Sequence, residues 1–212
     1  MKYSFKLLLQ ILCFSSIVIS CIPKKEIANN PKQKSVTKVK NIILLIGDGM
    51  GLSQVSASQY YHKNKSNFDR FPVIGLTKTS SASELITDSA SSATAFASGI
   101  KTYNGALGVN TDTLAVKNIV EEISEIGIST GIISTSSVTH ATPAAFYTHT
   151  KKRSMAEDIA SQLVTSEIDF FAGGGSEYFT NREDNRDLIL ELEEKNFKIN
   201  LNSLPTSIKT DF

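Results

Sequence analysis

A continuous apolar run, Asn41–Ile46 (NIILLI), ends abruptly at Gly47. A half-exposed strand alternates apolar and polar residues, whereas a run that is apolar throughout calls for cover on both faces. The run therefore predicts a buried, central strand of a parallel sheet. The segments after it alternate in type. Ser53 predicts the cap of a helix through about His62, and Val73–Ser80 reads as a second strand. Asp88–Ser98 (DSASSATAFAS) is small and Ala-rich, which predicts a helix ended by Gly99. Thr113–Ile126 places Leu114, Val116, Ile119, Val120, Ile123 and Ile126 at helical spacing, stopped by Gly127. Strands are expected at Ile128–Ser134, Ile168–Phe171 and Phe197–Leu201, and helices at Ser154–Val164 and Asp187–Lys195. This order predicts an α/β fold, a mostly parallel sheet with helices on both faces.

The front of the chain has a different character. Lys2 and Lys6 precede the apolar stretch Leu7–Ile19, which is shorter than the roughly 20 residues that span a bilayer. With the small Ser20 after it, residues 1–20 read as a secretory signal. The sequence Val18-Ile19-Ser20-Cys21 resembles a bacterial lipobox, in which Cys21 becomes the lipidated N-terminus. Several acyl chains would then hold the protein at a membrane, because one chain anchors only marginally. The other reading is an ordinary signal peptide with an incidental Cys. Either way the chain is exported, to a periplasmic or cell-surface location. Cys13 would leave with the leader, so no internal disulfide is expected. Residues 21–40 are rich in Lys, Asn and Pro and read as a basic tether, its lysines a solvated spacer in the first reading and attracted to anionic head groups in the alternative. Residues 41–212 form a mildly acidic domain. Over the whole chain, 22 basic against 21 acidic residues give a net charge of +1, which implies no nucleic-acid partner. A content of 41% apolar and 20% charged residues excludes disorder, collagen and coiled coil as the overall class.

Three constellations carry chemistry. Gly47-Asp48-Gly49-Met50-Gly51 follows the first expected strand, where ligands of open α/β sheets bind. No Gly-Lys-Ser/Thr follows, and the dinucleotide spacing is missing, so this is not a phosphate cradle of either kind. The central Asp48 would repel a phosphate unless a divalent cation lay between them; an Asp-Gly turn is the simpler reading. Thr87-Asp88-Ser89-Ala90 opens a helix. Asp88 there is a natural N-cap, and Ser89 falls in the first turn, where free N–H groups and the helix dipole favour an anion. A Ser so placed can attack a phosphoryl group if its hydroxyl is activated, and a metal is the remaining plausible activator. His140-Ala141-Thr142-Pro143-Ala144 is the third, with His149 and Arg153 downstream. Arg153 could grip two phosphate oxygens, or Lys151-Lys152-Arg153 could be a solvated basic turn.

Taken together and in this order, GDGMG, TDSASSATAFASGIKTYNGALGV, HATPAAFYTHTKKR and DFFAGGG at Asp169–Gly175 resemble the alkaline phosphatase family over about residues 41–180. The resemblance implies a phosphate monoester hydrolase that works through a phosphoserine with zinc and magnesium, commonly as a homodimer. In it Asp48 looks like the carboxylate bridging a zinc and a magnesium, Ser89 like the nucleophile and Thr142 like a magnesium ligand. Arg153 looks like the residue that orients the phosphate. The position of His140 is Asp in some members and His in others, facing the magnesium hydration shell. His149 is expected to be structural and Gly173–Gly175 a backbone feature.

The family's other metal ligands come from a C-terminal half: an Asp and two His for one zinc, an Asp-His pair for the other and a Glu for magnesium. Here no His follows His149 and no Asp-His dipeptide occurs. The expectation is thus the N-terminal part of an alkaline phosphatase domain, apparently truncated. Two alternatives stand beside it. One is a catalytically inactive, lipid-anchored lipoprotein retaining part of the fold. The other is a sulfatase or phosphomutase relative; the absence of a Cys/Ser-x-Pro-x-Arg motif argues against the sulfatase.

Overall fold

The computed structural model describes residues 40–62 and 65–202. The expected signal segment 1–20, the lipobox with Cys21 and nearly all of the tether lie outside these residues. The chain divides after Leu45 into two units, the first of them described only from residue 40. Among the described residues no helix is long and apolar enough to cross a membrane.

From Ile46 onward the elements are α1 (Leu52–Tyr61), a 3-10 turn (Asn67–Arg70), α2 (Ser89–Ser98), α3 (Ile119–Ser124) and β1 (Gly131–Ser137). They continue with α4 (Ala141–Ala144), α5 (Ala156–Thr165), β2 (Phe170–Gly174), α6 (Glu177–Thr180) and α7 (Leu188–Glu194). β1 and β2 pair in parallel, Gly131 opposite Phe170 and Ile133 opposite Ala172, and the crossover between them contains α4 and α5. The register then slips, so that Ser137 meets Gly174. Gly173 makes this close passage feasible: a Cβ there would lie 2.8 Å from Val138 Cγ1 and 3.0 Å from the Ser136 carbonyl oxygen. Gly173, and Gly175 with its positive φ of 97° and Ser137 against it, are thus needed by the backbone at the end of β2.

The core is built from small and branched residues. α2 buries Ala90, Ala93 and Ala97, and α4 buries Ala141, Pro143 and Ala144. With so little side chain between them, the two helices pack against each other directly. α5 turns Ile159, Ala160, Leu163 and Val164 inward, the two-turn spacing of one helix face. Leu188 and Leu192 of α7 join the same cluster.

A buried arginine ties the C-terminal elements together. Arg182 donates to the carbonyls of Glu157 and Tyr178, each at 2.9 Å, and to Ser161 Oγ at 2.9 Å. It also pairs with Asp184. The hydrogen bonds from the Arg182 side chain, chief among several influences, hold the Asp184 carboxyl down to about 2. Arg182→Leu is expected to lower stability by on the order of 3 kcal/mol, because two carbonyls lose their donor at once. Chemical denaturation of the two proteins measures the difference. A midpoint unchanged from the parent's would mean that water replaces the guanidinium at no cost.

Several expectations are corrected. Asn41–Ile46 forms no strand, and Ile42, Ile43, Leu44 and Leu45 are exposed. Val73–Ser80 forms none either, with Val73, Ile74 and Leu76 over 80% exposed. Phe197–Leu201 is likewise irregular. An apolar run becomes a strand only where a neighbouring strand takes its N–H and C=O groups, and among the described residues these segments have no such neighbour. The helix expected over Thr113–Ile126 begins only at Ile119. Asn110 intervenes first, its side-chain oxygen accepting the N–H groups of Asp112 and Leu114 at 3.0 Å each. This turn competes with helix formation. Ser53 lies inside α1, whose N-cap is Gly51.

Candidate active site

The start of α2 is held by its cap. Asp88 Oδ1 accepts from the Ser91 N–H and from Ser91 Oγ, both at 2.9 Å. Asp88 Oδ2 accepts from the Gly105 N–H at 3.0 Å and from Arg153 Nη1 at 3.3 Å. Burial alone would push this carboxyl up. The hydrogen bonds from Ser91, then those from Gly105 and Arg153, outweigh it and hold the group below the ordinary aspartate value. Asp88 is thus an ionised cap that also faces a guanidinium.

Ser89 occupies the first helical position, half-buried. Its Oγ accepts from Arg153 Nη1 at 3.1 Å. Nη2 of the same guanidinium lies 3.2 Å from His140 Nε2. Arginine can only donate, so His140 Nε2 is the acceptor in this contact. His140 is the N-cap of α4, and Thr142 lies in that helix two residues on. Thr142 Oγ1 donates to Asp48 Oδ2 at 2.9 Å. The five residues singled out in the sequence therefore form two contact groups, Ser89–Arg153–His140 and Asp48–Thr142, joined through the tripeptide His140-Ala141-Thr142. A cavity of about 360 Å³ adjoins Arg153, with Tyr103, Asn104, Lys151 and Lys152 in its wall.

His149 belongs elsewhere. Its Nδ1 lies 2.6 Å from the Gly108 carbonyl oxygen and its Nε2 2.9 Å from Glu121 Oε1, so it braces α3 against the 107–109 segment. Sequence reasoning missed Asn104, whose side chain bonds the chain on either side of Ser89, at Ile86, Asp88 and Ser91. The only signal was an Asn-Gly pair, which marks a turn and nothing more.

The oxygen donors of Asp48 and Thr142 suit a hard cation such as magnesium. Zinc is another matter. Among the described residues no group of three or more His, Cys, Asp or Glu side chains is placed to hold a metal ion. Catalytic zinc ordinarily takes three protein ligands. The described residues therefore fit part of a magnesium shell and do not by themselves make a zinc site.

The family model for alkaline phosphatase matches residues 39–202. The chain belongs to the alkaline phosphatase family. It is 36% identical to alkaline phosphatase 3 of Bacillus subtilis, the match covering 92% of this chain and 46% of that protein. It is 36% identical to the alkaline phosphatase of Escherichia coli, over 66% of this chain and 36% of that one. Among solved structures, the alkaline phosphatase of the Antarctic bacterium TAB5 is similar at 51% identity and a TM-score of 0.73, over 74% of this chain and 46% of that one. A His-to-Asp variant of the TAB5 enzyme with Mg bound in its M3 site matches equally well. This chain spans less than half the length of these relatives. The α/β fold with a parallel strand pair and helices is that of the family.

Proposed function

We propose that this alkaline phosphatase chain serves hydrolysis of phosphate monoesters through a phosphoserine formed on Ser89. The observation that carries the reading is the Ser89 hydroxyl in the first turn of α2, held at 3.1 Å from an arginine Nη1. Free N–H groups at that turn and the helix dipole favour an anion beside it. Arg153 supplies planar N–H donors for non-bridging phosphate oxygens and leaves the scissile bond free. Asp48 and Thr142 would hold magnesium, His140 would face its hydration shell, and Asp48 would reach towards zinc as well. Bound cations supply charge neutralisation and a lower pKa for the serine hydroxyl. The zinc set is incomplete among the described residues. The test is steady hydrolysis of a chromogenic phosphate monoester by the purified chain with zinc and magnesium present. Turnover that is equal with and without the metals would oppose the reading.

The leader reading extends this. Residues 1–20 would export the chain, Cys21 would carry the lipid anchor, residues 21–40 would tether the 41–212 domain to the membrane, and the domain would pair as a homodimer. Val18-Ile19-Ser20-Cys21 and the lysines after it support the anchor. A second functional reading, an inactive lipid-anchored protein retaining part of the fold, is favoured by one observation: the lack of a three-ligand metal group among the described residues.

Asp48→Asn is expected to reduce bound metal while changing stability by less than about 0.5 kcal/mol, since the side chain is exposed and the loop is shaped by its glycines. Elemental analysis beside a thermal melt separates the two effects. Unchanged zinc and magnesium content would remove Asp48 from the metal site.

A further inference from the structure

We infer that Asn104 is a positioning residue for the nucleophile, and that the Asn104-Gly105 turn fixes Ser89 and Arg153 relative to each other. The inference rests on the reading of Ser89 and Arg153 above. Neither residue could set this geometry alone. Ser89 is carried by the short approach Ile86-Thr87-Asp88, and Arg153 arrives from a loop more than sixty residues away in sequence. One turn touches both. Asn104 Nδ2 donates to the Ile86 carbonyl at 3.0 Å, Asn104 Oδ1 accepts from the Asp88 N–H at 3.2 Å, and the same Oδ1 lies 3.0 Å from Ser91 Oγ, whose single hydrogen it shares with Asp88 Oδ1. A single amide thus engages groups before, at and after the cap. The Gly105 N–H donates to Asp88 Oδ2 at 3.0 Å, and the Gly105 carbonyl accepts from the Arg153 N–H at 2.7 Å. The backbone of Arg153 and the side chain of Asp88 are therefore fastened to the two polar groups of one residue, while Asn104 fastens the strand of chain leading into Ser89.

The chemistry explains why an amide suits the position. Ile86 offers only a carbonyl acceptor, and Asp88 N–H and Ser91 Oγ–H are donors. Asn brings one donating and one accepting end across a distance of two bonds. An aspartate there would keep the accepting end, lose the bond to Ile86 and add a charge beside the place where a phosphate binds. Alanine would release all three partners. Displacements of about 1 Å at a reacting group commonly cost on the order of a hundredfold in rate. The expected loss is accordingly about tenfold to a hundredfold in phosphate affinity and in phosphoserine yield.

The experiment compares the full chain with Asn104→Ala, Asn104→Asp and, as a destabilised control away from the site, Asn118→Ala, which removes the buried cap of α3. Three quantities are read: amide hydrogen exchange residue by residue, inorganic phosphate affinity by calorimetry with zinc and magnesium present, and acid-stable phosphate on Ser89. The inference expects Asn104→Ala to exchange at least about tenfold faster at Asp88, Ala90 and Ser91, and Asn104→Asp, which keeps the accepting end and loses only the bond to Ile86, to exchange faster there by a smaller factor, with the amides of β1 unchanged in both. Asn118→Ala should melt earlier without either effect at the α2 start. Uniform acceleration throughout the body in the Asn104 variants, or unchanged exchange at residues 88–91, overturns the inference. Faster exchange with undiminished phosphate affinity overturns it too, because Asn104 would then be a structural brace only. If the parent binds no phosphate and takes no label, the proposed role of Ser89 and Arg153 fails. The exchange pattern still decides whether Asn104 orders the α2 start.

Discussion

Ser89→Ala is expected to abolish acid-stable phosphate labelling and to lower monoester turnover by at least about a thousandfold. The effect should be confined to chemistry. The Ser89 hydroxyl has Arg153 as its hydrogen-bond partner, whereas the α2 start is held by Asp88, Ser91 and Thr87. Alanine is also a better helix former than serine. The mutant should therefore fold and melt like the parent. Labelling with a phosphate monoester, an acid quench and peptide mapping give the answer. Label that persists undiminished in the mutant would take the nucleophile's role from Ser89.

Arg153→Ala is expected to weaken phosphate binding by about tenfold to a hundredfold, the worth of a charge-assisted contact of about 1.5–3 kcal/mol. Asp88 keeps its bonds from Ser91 and Gly105 in this mutant, so α2 should stay capped. Product inhibition by inorganic phosphate is the readout. Equal inhibition of mutant and parent would reduce Lys151-Lys152-Arg153 to a solvated basic turn.

The helix that carries Ser89 was legible to within a residue. Asp88 as its cap, alanines along its length and Gly99 behind it are local signals, and all three lie where the structure has them. The strands were less legible. The Ile128–Ser134 expectation is displaced, β1 running Gly131–Ser137. One tie lies just before it, where Asp169 Oδ2 accepts the Thr130 N–H at 2.6 Å across 39 residues. Apolar runs at 41–46 and 73–80 report a capacity to be buried and contain nothing about whether a neighbour is present. The late start of α3 does have a local signal. Asn118 and Glu121 form a capping box, with the Asn118 side chain on the Val120 and Glu121 N–H groups and Glu121 reaching back to the Asn118 N–H.

For the site, the motifs named the residues but not their partners. Asp48 with Thr142, and Arg153 with Ser89 and His140, are contacts between segments up to 94 residues apart. No local pattern encodes such a distance. Asn104 escaped for the same reason, since its three bonds reach back 13 to 18 residues.

The Arg153 guanidinium has one further consequence. A long side chain free in water samples many rotamers, and freezing it on binding costs about 0.5–1.5 kcal/mol. Here Nη1 already rests on Asp88 and Ser89 and Nη2 on His140, so the rotamer is chosen during folding. An anion bound at Ser89 in the proposed role would meet a fork that three contacts already hold. The calorimetric signature of such a site is a small entropic penalty on phosphate binding. Loosening the fork by removing His140 would change the entropy of binding first and its enthalpy little.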